Sequence, residues 1–538
     1  MTSHGRTIYL ETFGCQMNEL DSELVRGQLT ALGYAMTADR TVADVVLYNT
    51  CSVREQAENK ALSRIGIIGK EKSEGRVVVL GVIGCMAERD GVDMMRRYPQ
   101  IDLLCGPGEL DKLPLLLDNA LRVEQSELHE RVALQGGSNR RSTTLAAASD
   151  DLELLDLSRA FDPDRATSKH RSAYVRITRG CNKFCTYCVV PHTRGAEVHR
   201  PPDHIVDECR RLADAGVIEV TLLGQTVNHY IYVHGAAVTS NGRELAQVGP
   251  GLGHFRSGSG VQKLTAAGSR MTTFADLLAR IHDEVPAIKR LRFVTSYPRD
   301  FSDEALHVIA QSPRICPYLH VPAQSGSNRI LKMMNRGYTV EEYLDFIDRA
   351  RAIVPGVSIA GDIIVGFPTE TDADFDATCD LLRRVRFKNN FIFKYSPRPG
   401  TVAIDRFADD VPDEVKRYRN NDLLRLQSEI SAAVHQECVG TTVEVMVEQV
   451  RPMPESAASS EKVELRWQTH HNENSALMQA TGRTPGDLIV AFPVDSSEDE
   501  QLPGSIVSVV IESAGPLILF GQALAATAAA GQDARVAG

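Results

Sequence analysis

Positive charge is in short supply. Lys and Arg number 59 against 70 Asp and Glu, giving a formal net charge of -11. That excludes a global positive field drawing the chain to nucleic acid; any RNA contact must use local basic patches. Aromatics make up only 6%, with a single tryptophan, Trp467. No uninterrupted apolar run is long enough to span a bilayer, and the opening MTSHGRTIYLETFGC has no apolar core of signal-peptide length. The cytoplasm is therefore the expected location, with no membrane partner. A reducing compartment disfavours structural disulfides. The 11 cysteines then point to metal binding or reactivity where they cluster. With 538 residues, 43% of them hydrophobic, the chain has ample material for buried cores.

Three apolar, β-branched runs near the N-terminus share one plan: Thr7–Phe13, Val45–Tyr48 and Val77–Ile83. Each ends in a short polar turn carrying a cysteine, Cys15, Cys51 or Cys85. Helical patterns at 22–32 and 54–68 lie between them. Such alternation predicts a parallel α/β sheet over residues 5–122, with the three cysteines at strand carboxyl ends. Residues 123–166 read as a linker. A second βα series over 167–430 predicts a partial six-unit barrel, with strands at 174–178, 219–223, 291–295, 318–321, 358–365 and 390–395. Helices are expected at 203–215, 274–284, 340–352 and 371–385. Residues 231–271, rich in Gly and Ser, read as a flexible surface insertion. Four short strands within 434–525 predict a small all-β barrel of the oligonucleotide-binding type, and 526–538 read as a disordered tail. The expected class is thus α/β with a C-terminal all-β module.

The strongest motif is Cys181-Asn-Lys-Phe-Cys185-Thr-Tyr-Cys188, placed just after the first strand of the barrel series. Three thiolates at this spacing suit three irons of a cubane cluster, leaving one iron open to a small molecule. A ferredoxin-type carrier would need a fourth nearby cysteine, which is missing. A structural zinc site would also need a fourth ligand, and His192 stands four residues on. Position on the barrel favours the cluster; spacing alone leaves zinc open.

The string YVRITRGCNKFCTYCVVPHTRG, Tyr174 to Gly195, resembles the methylthiotransferase branch of the radical S-adenosylmethionine (SAM) superfamily. TFGCQMNELDSE, NTCSVRE and GCMAE are similar to the segments that hold a second, auxiliary 4Fe–4S cluster in that branch. The resemblance covers nearly the whole chain. It implies two 4Fe–4S clusters, on Cys181, Cys185 and Cys188 and on Cys15, Cys51 and Cys85, with SAM as co-substrate. Glu11–Asn18, Asn49–Glu55 and Cys188–Pro191 look most like the members acting on isopentenyl-adenosine in tRNA. Members acting on threonylcarbamoyl-adenosine in tRNA, or on a ribosomal-protein aspartate, are the alternatives within the branch. A non-enzymatic zinc- and RNA-binding protein is the alternative outside it. Thr226, where Asn is expected, and the insertion after Tyr230 depart from the branch pattern.

The target hydrogen, on carbon 2 of an adenine, is too weakly acidic for side-chain acid–base chemistry. The resemblance implies a radical made from SAM at the first cluster and sulfur delivered at the second. Candidate SAM contacts are Gln225, Ser325 and Asp362, with Gly224, Gln324 and Gly326 beside them; each position also suits an ordinary turn. Lys332 and Arg336 suit a cofactor carboxylate, an RNA phosphate or a solvated helix face. The C-terminal module resembles the TRAM domain of RNA-modifying enzymes. Arg383, Arg384, Arg386, Lys388 and the stretch Lys416–Arg425 are candidate contacts for a tRNA anticodon loop, and Trp467 suits either a base stack or a core. Implied partners are an electron donor such as flavodoxin or ferredoxin and an iron–sulfur carrier protein. Nothing in the sequence demands more than a monomer. The remaining cysteines, Cys105, Cys209, Cys316, Cys379 and Cys438, read as structural thiols.

Overall fold

The computed structural model describes residues 5–53, 55–122, 128–135, 155–156, 171–235, 239–240, 243–244, 246–248, 270–453, 478–494 and 502–524. Trp467, most of the expected linker, the Gly/Ser-rich run of the insertion and the tail lie outside them. The chain divides into two compact units, one reaching Gln427 and one starting at Ser428.

The first unit opens with a six-stranded parallel sheet. Its strands are β1 (Thr7–Thr12), β2 (Ala35–Met36), β3 (Val45–Thr50), β4 (Val79–Gly84), β5 (Leu103–Cys105) and β6 (Val132–Ala133), in the order β2-β1-β3-β4-β5-β6. Helices α1 (Gln16–Ala31), α2 (Glu55–Ser73) and α3 (Cys85–Asp90) follow β1, β3 and β4. Every residue of β3 is buried, as expected for a central parallel strand covered on both faces. Val45 and Leu47 pack on the α1 side, while Val46 and Tyr48 pack on the α2 side with Ala61, Ile65 and Ile68. The strand runs on through Asn49 and Thr50, which read in sequence as a turn. Their polar groups are satisfied inside: Asn49 Nδ2 donates to Asn18 O and Ser22 Oγ, both at 2.9 Å, and Thr50 Oγ1 to Ile83 O at 2.7 Å. Residues 128–133, expected as linker, instead supply a short helix and β6, the last strand of this sheet.

The rest of the first unit carries β7 (Ser172–Arg176), β8 (Glu219–Leu223), β9 (Arg290–Phe293), β10 (Tyr318–His320), β11 (Ser358–Val365) and β12 (Asn389–Lys394). They form two parallel three-stranded sheets, β7-β8-β9 and β10-β11-β12. The halves are stitched by a Leu291–Ile315 bridge and by Ser296 N donating to His320 O at 3.0 Å. Helices α4 (Pro202–Asp214), α5 (Phe274–Glu284), α6 (Val340–Ile353) and α7 (Asp372–Val385) lie between strands. The last three open on capping boxes set by Thr273, Thr339 and Thr371. Described residues at both ends of the insertion pair with neighbouring strands, while the Gly/Ser-rich run read as flexible lies outside the described residues. Ile231–Val233 pairs antiparallel with Met271–Thr273, and Gln247–Val248 with Val198–His199.

The second unit holds a closed five-stranded barrel: β13 (Thr442–Pro452), β14 (Met478–Arg483), β15 (Ile489–Val494), β16 (Ile506–Ala514) and β17 (Leu519–Ala523). Val445, Val447, Ala480, Val490, Phe492, Val509, Ile511 and Leu519 fill it. Of these five strands, β14, MQATGR, lies outside the four expected; it has no apolar β-branched residue to announce it, although its burial alternates. Among the described residues, no helix is long and apolar enough to cross a membrane.

Candidate active site: two cysteine triplets and a neighbouring cavity

Neighbouring strands β1, β3 and β4 end side by side, with Thr12 opposite Asn49 and Thr50 opposite Gly84. Cys15, Cys51 and Cys85 are the next residues or nearly so, and the sheet therefore delivers them to one edge. Backbone geometry tightens the group. Gly84 has φ +93°, and a Cβ there would come within 2.4 Å of Asn49 Oδ1 and 2.6 Å of Thr50 O, so only glycine fits. A Cβ on Gly14 would lie 2.7 Å from that of Cys51. Asn18 braces the loops through Nδ2, which donates to Asn49 Oδ1 at 2.8 Å and Thr50 O at 3.1 Å.

The three thiols sense one another. A hydrogen bond from the Cys51 thiol brings Cys15 down to about 5 against its burial, and the same bond with burial pushes Cys51 up. Burial also raises Cys85, which Thr193 contacts by hydrogen bond and on which Arg194 acts in the opposite sense. Arg194 acts on Cys15 as well. It reaches Asp21 of α1 at 2.8 Å, and both side chains are buried. Both Thr193 and Arg194 follow the CxxxCxxC loop, so the barrel supplies part of the environment of the first triplet.

In the second triplet, burial raises Cys181 and takes Cys188 up to about 12. Backbone N–H groups meet sulfur in both sets: Lys183 N lies 3.4 Å from Cys181 Sγ, and Val53 N 3.3 Å from Cys51 Sγ. Arg336 Nη1 donates to Cys185 Sγ at 3.4 Å. Lys183, inside the loop, pairs with Asp300 at 2.5 Å; Asp300 meets His229 at 2.6 Å, and Glu197 contacts both His229 and His199. This buried polar chain was not visible in the sequence, because its members are scattered and none has metal-ligand spacing. Thr226, the departure from the branch pattern, places its hydroxyl 3.9 Å from Cys181 Sγ. Cys85, from the first triplet, adds to the rise of the Cys188 thiol, after burial and Cys185.

A cavity of about 700 Å³ lies beside the triplets. Thr12, Phe13, Gly14 and Ser52 line one side; Tyr187, Cys188, Gln324 and Asp362 line the other. Lys60, Lys394 and Arg398 add positive charge to the wall. Of the expected SAM residues, Asp362 is therefore on this cavity, with Gln324. Ser325 is buried below it and accepts from Ser327 N at 3.2 Å, and Gln225 is half-buried after β8. Lys332 is exposed and Arg336 is internal. Three of the expected RNA contacts are withdrawn from solvent: Lys388 lies over the Tyr318 ring, Lys416 pairs with Asp409, and Arg419 pairs with Glu370. Arg383, Arg384 and Arg425 pair with Asp380, Asp348 and Asp422. Helix charges are read poorly from sequence because their partners come from other turns and helices.

Among the described residues, no three His, Cys, Asp or Glu side chains converge on a point as a single metal ion requires. A tetrahedral zinc needs such convergence. A cubane does not, since each thiolate takes a different iron. Three thiols per set with no fourth cysteine, N–H groups aimed at sulfur, and a nearby guanidinium all fit that group.

Residues 175–382 match the radical SAM superfamily, and residues 7–106 match the family described as uncharacterized protein family UPF0004. The tRNA-2-methylthio-N(6)-dimethylallyladenosine synthase of Rhodopirellula baltica is 39% identical over 97% of this chain and 96% of its own. The protein of that name in Moorella thermoacetica is 37% identical over 97% and 99%, and that in Maricaulis maris 40% over 83% and 88%. The chain belongs to the tRNA-2-methylthio-N(6)-dimethylallyladenosine synthase family.

Proposed function

We infer that this protein is a radical SAM methylthiotransferase that converts N6-isopentenyl-adenosine, next to the anticodon of tRNA, to its 2-methylthio derivative. Family membership over nearly the full chain supports the substrate. The observation that supports the chemistry is a cavity lined by Cys188 and Tyr187 on one side and by Gly14 and Ser52, the chain neighbours of Cys15 and Cys51, on the other. Cys181, Cys185 and Cys188 would hold one 4Fe–4S cluster, and Cys15, Cys51 and Cys85 the auxiliary one, each with an iron left open. When bound, these groups and SAM supply the electron, the radical that removes the adenine C2 hydrogen, and the sulfur.

The chain's own residues position and shield. Gln324, in the segment after β10, and Asp362, within β11, offer polar contacts to SAM, with Gln225 and Ser325 in the turns after β8 and β10. Phe13, Tyr187 and Tyr395 give the cavity walls their apolar area, which keeps water from a reactive centre. Lys60 and Lys394 suit the phosphates of a splayed loop nucleotide. The C-terminal barrel, as a TRAM-type module, would hold the flanking RNA. A one-electron donor, flavodoxin or ferredoxin, and an iron–sulfur carrier complete the cycle in the cytoplasm, with the enzyme as a monomer.

Mass spectrometry of tRNA nucleosides from a deletion strain tests the reading: 2-methylthio-isopentenyl-adenosine disappears and its unmodified precursor accumulates. Unchanged levels, or loss of the threonylcarbamoyl product instead, would reject it. In the purified protein, Cys51→Ala keeps SAM cleavage, loses methylthio product and binds about half the iron. Retained product would remove the auxiliary assignment, and zinc without labile sulfide in the wild type would remove the enzyme reading altogether.

A further inference from the structure

The CxxxCxxC loop has two faces. Tyr187 and Cys188 line the cavity, whereas Phe184 is not among the lining residues and is 39% exposed. Phe184 has φ +51°, a left-handed conformation that is uncommon for a bulky side chain and must be held by its surroundings. Asn335 Nδ2 holds it, donating to Phe184 O at 2.9 Å. The ring is thereby presented outward between two of the loop's cysteines.

The loop is flanked by two short helices. Thr186 N and Oγ1 donate to Met334 O and Met333 O, both at 3.0 Å, next to helix Asn328–Met333. Ala403 N of helix Val402–Arg406 donates to Thr186 O at 2.8 Å. The second helix shows Val402 and Ile404 to solvent, 38% and 42% exposed. Lys332 and Arg406, at the ends of the two helices, are exposed and have no ion pair among the described residues. Arg299 is exposed too, with Nη1 donating to Gly337 O at 2.7 Å. Of the acids nearby, Glu341 accepts from Asn328 Nδ2 at 2.9 Å and Asp410 from Thr369 N at 2.6 Å, and Asp405 is exposed beside Arg406. Cations left unpaired in a chain of net charge -11 mark this face as locally basic.

We propose that this outer face of the loop is the docking surface for an acidic one-electron carrier protein. The inference rests on the enzyme reading above. An electron has to arrive while the cavity is filled by substrate, so it must enter from the other side. Phe184 is the exposed residue of the loop and is bonded directly to the buried Cys185. Lys332, Arg299 and Arg406 steer an acidic partner that the rest of the chain repels, and Phe184, Val402 and Ile404 lose water on contact. On docking, the carrier is oxidised by one electron and the cluster held by the loop is reduced by one; no bond forms or breaks.

The test uses full-length, anaerobically reconstituted enzyme, with flavodoxin hydroquinone and dithionite as alternative reductants and 5′-deoxyadenosine as readout. In Lys332→Glu/Arg406→Glu, flavodoxin-driven SAM cleavage and flavodoxin affinity each fall at least about tenfold, while the dithionite-driven rate is unchanged. Raising the salt concentration reproduces the loss in the wild type. Three outcomes overturn the proposal: a wild type that takes no electrons from flavodoxin, a variant that still does so at full rate, or equal losses with both reductants. Weakened tRNA binding with intact flavodoxin binding would give this face to RNA and overturn it as well. Methylthio product made by the wild type with dithionite checks the enzyme reading separately.

Discussion

Arg336 is half-buried, and its guanidinium is aimed at a thiol. Nη1 lies 3.4 Å from Cys185 Sγ, Nη2 donates to Pro322 O at 3.1 Å, and the carbon sits 4.6 Å from the Tyr297 ring centre. A cationic N–H donor beside a ligand sulfur stabilises added negative charge on a cluster. Arg336→Met should therefore shift the reduction potential of that cluster negative, followed by an electron paramagnetic resonance redox titration. Arg336→Lys keeps the charge but loses the planar fork, and falls between the two. A potential equal to or above the wild-type value in the Met variant would contradict this role. The sequence offered Arg336 as an unpaired choice between a ligand contact and a helix charge, because nothing in spacing shows that residue 336 folds back on residue 185.

Helix α7 shows how much an element's start depends on one side chain. Burial alone would raise the Asp374 carboxyl, but Arg329, Ser327 and Thr371 outweigh it and hold it below the usual carboxylate range. The Thr371–Asp374 capping box fixes the first turn of α7, and Ser327 Oγ, donating to Asp374 at 2.5 Å, ties that turn to the segment after β10. A carboxyl depressed in the folded state contributes stability above its unfolded value of about 4, and loses it as pH falls below that. Asp374→Asn should cost about 1–2 kcal/mol at neutral pH in chemical denaturation. The difference from wild type should shrink below about pH 4. A pH-independent difference would show that the carboxylate charge is not what matters. Elements of this kind were the most legible part of the sequence. Helix Phe274–Glu284 and strands Glu219–Leu223 and Ser358–Val365 fall where periodicity and caps put them.

At the scale of the first unit, Glu58 joins three pieces. It accepts from Arg89 of α3 at 2.8 Å and from Arg398, beyond β12, at 2.6 Å; Arg398 also reaches Val53 O at 3.3 Å. The helices after Cys51 and Cys85 are thereby clamped to the barrel wall. Removing one partner leaves largely buried charges unpaired, so Glu58→Ala should destabilise by about 3 kcal/mol in thermal or denaturant unfolding. It should also uncouple the reaction, with more 5′-deoxyadenosine formed per methylthio product. An unchanged ratio would mean that the clamp does not set the spacing of the two sites. The sequence by itself indicated most of the longer strands and helices and singled out the CxxxCxxC triplet, since these follow from periodicity, caps and short spacings along the chain. The tertiary structure alone decided that the turns beside Cys15, Cys51 and Cys188 meet at one cavity, that Arg336 reaches the Cys185 thiol and Arg194 acts on Cys85, and that Lys388, Lys416 and Arg419 are spent internally. Those facts depend on residues brought together from distant parts of the chain, and one sequence carries no record of such pairings.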